Sequence, residues 1–205
     1  MNIAIIGAGN VGQALGMRWA QAGHAVTFGT RDPDAEKARE LANLAGVSVA
    51  TPDVAAAAAE IIVLATPWPV TYTVVEGLGD LTGKVLVDAT NPIAPGLQLD
   101  VSQTTSGAEE IAKRAPGARV VKAFNTTGYN NMLDPVYDGD STTMFIAGDD
   151  GAAKGVVTEL AEVLGFDVAD VGGLRTARFL EPMALAWISL AMSQGREIAF
   201  KLVRR

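Results

Sequence analysis

Three glycines at G-x-G-x-x-G spacing, Gly7-Ala8-Gly9-Asn10-Val11-Gly12, stand between an apolar run, Asn2 to Ile6, and a stretch, Val11 to Ala22, whose apolar residues recur at helical intervals. Glycine fills 22 of the 205 positions, so the spacing alone is a weak signal. Its place between a strand and a helix assigns the three glycines, in turn, to a tight turn, to backbone access for a pyrophosphate, and to close packing of helix on strand. The helix N-terminus then presents free N–H groups and positive partial charge to the phosphates. The end of the second strand decides which dinucleotide fits, because an NAD site carries a carboxylate there for the ribose hydroxyls. Here that place reads Gly29-Thr30-Arg31, and a hydroxyl beside a guanidinium suits a ribose phosphate. NADP is therefore the expected cofactor, the alternative being that Arg31 is a solvated surface charge. Asp32, one residue late, reads as a helix cap.

In an open α/β sheet the ligand lies beyond the carboxyl ends of the strands, which singles out three further loops. Thr66-Pro67-Trp68-Pro69 follows the fourth strand; two prolines fix it, and the Trp68 indole is either a flat wall for a nicotinamide or a core residue. Asp88-Ala89-Thr90-Asn91-Pro92 follows the fifth strand and Lys122-Ala123-Phe124-Asn125-Thr126 ends the sixth. Asn91 and Asn125 are candidates to hydrogen-bond a carboxamide or a second substrate, or else are ordinary turn residues. The candidate cofactor contacts are thus Gly7, Gly9, Gly12, Thr30, Arg31, Thr66 and Pro67, and the candidate substrate pocket is Pro67, Trp68, Asn91, Pro92, Ala123 and Asn125. No histidine lies in these loops; the single one, His24, follows Gly23 in a turn and reads as a surface residue. Lys122 is the one candidate general acid, but it sits just inside its strand. Oxidation of an alcohol needs a group to exchange the hydroxyl proton. Hydride exchange between two rings can draw most of its rate from positioning.

The elements that hold these loops alternate as a parallel sheet requires. Strands are expected at Asn2–Ile6, Ala25–Gly29, Val47–Ala50, Ile61–Ala65, Val85–Asp88 and Val120–Phe124. Two more, Thr143–Ala147 and Phe166–Val171, flank a helix from Ala152 to Leu164. A helix from Asp32-Pro33 to about Leu44 and an alanine-rich one at Ala55–Ala59 fill two of the crossovers. The last stretch, Thr176 to Val203, reads as a long helix that is apolar almost all round between Phe179 and Met192 and so must be buried on two sides, as in a homodimer. On it Arg178 and Glu181, three apart, are expected to pair with each other, with a cofactor contact as the alternative. The fold class is α/β: a Rossmann-like parallel sheet with helices on both faces and a smaller C-terminal part ending in that helix. Residues 1–127 form the dinucleotide-binding domain and 128–205 an extension completing the cleft.

Composition narrows the function classes. Hydrophobic residues make up 49% and charged ones 19%, against roughly 25% charged in an average soluble protein, which excludes disorder. A net charge of −7 argues against nucleic acid as a partner. The absence of cysteine removes thiolate chemistry and Cys-based metal sites, and one histidine makes a multi-His metal centre improbable, so no metal is expected. The opening MNIAIIGAGN lacks a basic signal region and no stretch reaches the ~18 apolar residues of a membrane span, so a cytoplasmic protein is expected.

Taken together, GAGNVG, the GTR after the second strand, DATNP, VVKAFNT and GGLRTARFLEP resemble the NADPH-dependent deazaflavin (coenzyme F420) reductases over nearly the whole chain. They are also similar to the cytosolic domain of the transmembrane metalloreductases. The resemblance implies that Gly9, Asn10, Val11, Thr30 and Arg31 bind the dinucleotide. It also implies that nicotinamide and deazaflavin meet face to face near Pro67, Asn91 and Asn125. The function expected is hydride transfer between NADP(H) and coenzyme F420 or a flavin, with a small-molecule redox substrate as partner. The alternatives are an NADP-dependent reductase of a small imine or carbonyl compound, and a non-catalytic NADP-sensing module.

Overall fold

The computed structural model describes residues 1–102 and 104–205. The chain begins with β1 (Asn2–Ile6), α1 (Asn10–Gln21), β2 (Ala25–Gly29), α2 (Glu36–Ala42), β3 (Val47–Ala50), α3 (Pro52–Ala58), β4 (Ile61–Leu64), α4 (Trp68–Glu76) and β5 (Val85–Asp88). A small hairpin of β6 (Ile93–Ala94) and β7 (Gln98–Leu99) precedes α5 (Gly107–Arg114) and β8 (Arg119–Lys122). Next come α6 (Tyr129–Leu133), a second hairpin of β9 (Val136–Tyr137) and β10 (Asp140–Ser141), then β11 (Thr143–Gly148), α7 (Gly151–Leu164) and β12 (Asp167–Asp170). A short 3-10 turn, Leu174–Thr176, leads into α8 (Ala177–Gln194).

Eight strands form one sheet in the order β3-β2-β1-β4-β5-β8-β11-β12. The first six are parallel, with Ile6 opposite Gly29 on one side and Leu64 on the other. The order reverses between β1 and β4, the switch point beyond which an open sheet leaves a crevice. Side chains alternate through the sheet. Ile3 and Ile5 join Leu15, Trp19, Phe28 and Leu160 in a core on one face. Ala4 and Ile6 join Ile62, Leu64, Leu86 and Leu180 on the other. Burial on both faces is what makes these strands read as continuous apolar runs.

Four expectations need correction. β11 runs antiparallel to β8, with Ala147 opposite Lys122, and β12 runs parallel to β11, so the last two strands oppose the other six. The connection from β8 contains only α6 and a hairpin, with no crossover helix to return the chain to the start of the sheet. Asp32 does not cap α2, whose N-cap is Ala35; its Oδ1 accepts from Asp34 N (3.1 Å) in a local Asx turn. The prolines around Trp68 do not fix a loop: Pro67 is the N-cap and Pro69 lies in the first turn of α4, where a missing N–H costs nothing. Finally, α8 stops at Gly195 (φ +88°) instead of running to Val203. Beyond it the chain doubles back, with Trp187 Nε1 donating to Ile198 O (2.9 Å) and Thr143 N to Phe200 O (2.9 Å).

Candidate functional site

The turn from β1 into α1 is built for close backbone approach. Gly7 has φ +113°, and a Cβ there would lie 2.5 Å from the Ala65 carbonyl oxygen. A Cβ on Gly12 would overlap the Gly7 carbonyl, which holds α1 against the turn. Gly9 faces open space, so a methyl there would meet a ligand and not the protein. Gln13 Nε2 donates to Ala8 O (2.7 Å) and pins the loop, and no side chain caps α1. The first N–H groups of the helix are therefore available to an anion.

Two clefts open on either side of this loop. The first, about 500 Å³, is lined by Gly7, Ala8, Gly29, Thr30, Arg31, Lys37, Thr66 and Pro67 among others. Arg31 and Lys37 both reach it, and neither forms an ion pair among the described residues. The Thr30 hydroxyl is buried without a partner, an orphan that a ligand oxygen would satisfy. Two cations beside an unsatisfied hydroxyl at the end of β2 fit the phosphorylated ribose that the sequence implies. Lys37 was not legible as a contact, since it lies six positions beyond Arg31; the turn at Asp32–Asp34 and the start of α2 bring it to the same rim.

The second cleft, about 370 Å³, is lined by Val11 from the glycine loop, Asn91, Asn125, Tyr129, Trp187 and Arg196 among others. Asn91 Nδ2 donates to Asn125 O (3.1 Å), and Asn125 Nδ2 donates to Asn91 Oδ1 (3.1 Å) and Leu180 O (3.1 Å). Asn125 Oδ1 is buried and unpartnered, an acceptor available to a carboxamide or ring N–H. Phe124 just before it adopts a left-handed backbone (φ +63°), which ends the strand and turns the chain under this cleft. Tyr129, Trp187 and Arg196 come from α6, α8 and the returning tail, elements whose approach no local pattern reveals.

Next to the Asn91 and Asn125 segments lies a buried ion cluster. Lys122 Nζ donates to Asp88 Oδ2 (2.8 Å) and Thr90 O (2.7 Å) and stands 3.1 Å from Glu181 Oε1. Asp88 also accepts from Thr90 N and Oγ1 (2.9 and 2.6 Å), and Glu181 accepts from Gly107 N and Ala108 N at the start of α5 (2.9 and 3.2 Å). Burial alone would push the Lys122 ammonium down, but attraction to Asp88 and Glu181 outweighs it and holds the group above its ordinary value. Arg178 instead makes a two-pronged pair with Glu109 (2.7 and 2.8 Å). The expected Arg178–Glu181 pairing is thus replaced by two separate pairings, each tying α8 to α5 and, through Glu181, to the sheet. Lys122 lies within this cluster and lines neither cleft, which removes it as a general acid.

The candidate pocket residues divide. Asn91 and Asn125 meet in the second cleft, whereas Thr66 and Pro67 line the first. Trp68 does not wall either cleft: it is buried against Tyr72 (ring centroids 4.8 Å apart) and donates to Asp100 Oδ2 (3.0 Å). Pro92 is buried beside the β6–β7 hairpin, its carbonyl accepting from Asp100 N (2.8 Å), and Ala123 is a core residue behind the strand end. Of the candidate cofactor residues, Gly7, Thr30, Arg31, Thr66 and Pro67 line the first cleft and Val11 the second. Asn10 starts α1 between them. His24 lies in the turn before β2, with Nδ1 3.3 Å from the amino terminus. No helix among the described residues is long and apolar enough to cross a membrane.

Residues 2–92 match the family described as NADP oxidoreductase, coenzyme F420-dependent. The chain is 34% identical over 208 aligned positions to the F420-dependent NADP reductase of Methanothermobacter thermautotrophicus, covering 93% of this chain and 89% of that protein. It is 32% identical to rat metalloreductase STEAP3 over 89% of its own length, and spans 36% of that longer protein. A solved chain from Arthrobacter sp. FB24, bearing a provisional F420-dependent NADP-reductase name, superposes over 100% of both chains with a TM-score of 0.92 at 35% identity.

Proposed function

Because this chain belongs to the coenzyme F420-dependent NADP oxidoreductase family, we propose that it is an NADP(H)-dependent oxidoreductase that exchanges hydride with coenzyme F420 or a flavin ring across the glycine loop. One observation carries the reading: the glycine loop separates the two clefts, one with cations and an orphan hydroxyl, the other with aromatic walls and an orphan amide oxygen. When bound, the reduced nicotinamide supplies hydride and the deazaflavin or flavin ring accepts it.

The residues divide the work accordingly. The α1 N-terminus and Gly9 take the pyrophosphate, and Thr30, Arg31 and Lys37 take the ribose phosphate. Asn125 Oδ1, held by the Asn91 pair, orients the carboxamide or the acceptor ring. Trp187 and Tyr129 give the acceptor a flat apolar surface and exclude water. Such a site accelerates reaction by fixing the distance and alignment of two rings; the proton that the reduced ring takes up at nitrogen comes from water, so no side chain has to supply it. Residues 1–127 act as the dinucleotide-binding part, and 128–205 supply the wall that closes the acceptor side.

A homodimer joined through α8 belongs to the same reading. The outer face of α8 carries Phe179 and Leu190, 72% and 39% exposed, with Pro182 and Ala186 between them, an apolar stripe suited to a second copy.

The rival reading, reduction of a small imine or carbonyl, would draw on the Tyr129 hydroxyl in the second cleft as proton donor. Following NADPH oxidation with coenzyme F420, FMN, FAD and a panel of small imines and carbonyls separates the two. Turnover with deazaflavin or flavin alone is the expected result. Turnover confined to the small compounds overturns the assignment, and binding of NADPH without any turnover leaves a sensing module.

A further inference from the structure

We infer that Arg196 makes the second cleft selective for acceptors that carry a phosphate on the arm of their ring. The inference rests on reading that cleft as the acceptor site. The residues lining the cleft range from buried to exposed. Its floor, Asn125 and Val11, adjoins the glycine loop, and Asn125 is only 3% exposed. Its most exposed lining residues are Met192, 79% exposed, near the end of α8, and Arg196, in the tail that follows it. A ring whose reacting edge meets the floor, stacked along Trp187 and Tyr129, leaves its flexible arm toward these exposed residues.

Arg196 has the features of a site that awaits an anion. Its guanidinium carbon stands 5.7 Å from the Tyr129 ring centroid, and its backbone carbonyl accepts from Asn130 Nδ2 (2.8 Å), so the residue is anchored at both ends. Among the described residues it forms no ion pair, although the chain carries a net −7. The neighbouring Glu197 carboxylate accepts from Asn130 Nδ2 (3.3 Å). Elsewhere on the surface Lys113, Arg114, Lys154 and Arg178 are all paired with carboxylates. Among the described residues Arg31, Lys37 and Arg196 are not, and neither are Arg39 and Arg175 outside the clefts; what sets Arg196 apart is its place on the lining of the second cleft. A guanidinium presents a planar fork that matches phosphate oxygens two at a time, and among the described residues it is the only charged group lining the second cleft.

The test compares kcat/KM at saturating NADPH for FMN against riboflavin, and for coenzyme F420 against its phosphate-free deazaflavin, in the wild type and in Arg196→Gln. The wild type should favour the phosphorylated member of each pair by about tenfold, the scale of one partly exposed charge-assisted contact. In Arg196→Gln the preference should fall to within about twofold, whereas Arg196→Lys, which keeps charge without the fork, should retain part of it. NADPH binding to each variant, read by fluorescence, reports that it is folded. Equal use of both members by the wild type, or an undiminished preference in Arg196→Gln, overturns the inference while leaving the acceptor reading intact. Failure of all four rings to oxidise NADPH overturns the acceptor reading itself, and the inference with it.

Discussion

Replacing Lys122 by Met should destabilise the protein severely without acting on chemistry directly. The side chain is wholly buried and, among the described residues, is the only cation facing two buried carboxylates, Asp88 at 0% and Glu181 at 1% exposure. Met fills the volume but leaves both charges facing each other. Breaking a buried pair by removing one partner costs about 3–5 kcal/mol. Part of that is cushioned here, because Asp88 keeps two donors from Thr90 and Glu181 keeps two backbone N–H groups. The lower end, about 3 kcal/mol, is therefore expected, which for a chain of this size is a fall in Tm of about 6–12 °C. The folded-state ammonium is raised above its ordinary value. Its contribution is then fully present below the ordinary lysine range and is lost only as pH rises through the folded value, so it is intact at neutral pH. Thermal and urea unfolding at neutral pH, followed by circular dichroism, measure the loss. The triple variant Lys122→Met, Asp88→Asn, Glu181→Gln buries no charge and should recover part of it. A loss below about 1 kcal/mol in the single variant, or a triple variant less stable than the single, would refute the view that three charges form one structural unit.

Arg31→Ala should raise KM for NADPH at least about tenfold more than KM for NADH, since only the phosphate loses a charge-assisted contact, and equal effects on both would remove Arg31 from the cofactor site. Arg178→Ala should lower stability modestly at neutral pH, because its two-pronged pair with Glu109 is lost. The hydrogen bond from Arg178 is the main cause that lowers the Glu109 carboxyl. The variant's deficit should therefore persist above the ordinary glutamate range and vanish as pH falls through the lowered value; urea titrations at several pH values that show a constant deficit would exclude this origin. Phe179→Asp should convert a dimer to a folded monomer in sedimentation velocity, and an unchanged sedimentation coefficient would place the interface elsewhere.

The dinucleotide half was legible because its signals are local. A glycine fingerprint, a strand-end Arg31 and parallel strands buried on both faces all declare themselves within a few residues. In the second cleft the sequence marked Asn91 and Asn125, which follow strand ends, and Val11, which lies in the glycine motif. Tyr129, Trp187 and Arg196 reach that cleft from α6, α8 and the tail, separated by up to 67 positions, and their convergence is a product of tertiary packing. The same cause explains Lys122 and Glu181: a Lys inside one strand and a Glu on a distant helix carry no pattern that marks them as partners. The direction of β11 was missed because apolar alternation marks a strand but not its sense, which the short connection through α6 decides. Trp68 shows the limit of reading function from residue type, since a large indole after a strand serves the core equally well.

The most direct test of hydride passage across the glycine loop uses NADPH carrying deuterium at the transferring face of the nicotinamide. Incubated with the protein and coenzyme F420 in ordinary water, it should deliver deuterium to the reduced deazaflavin, where the new carbon–deuterium bond keeps the label for mass spectrometry. Direct transfer predicts label in the deazaflavin in proportion to NADPH consumed, from one face of the nicotinamide only. Reduced deazaflavin without label, or NADPH that is bound and never consumed, would contradict it.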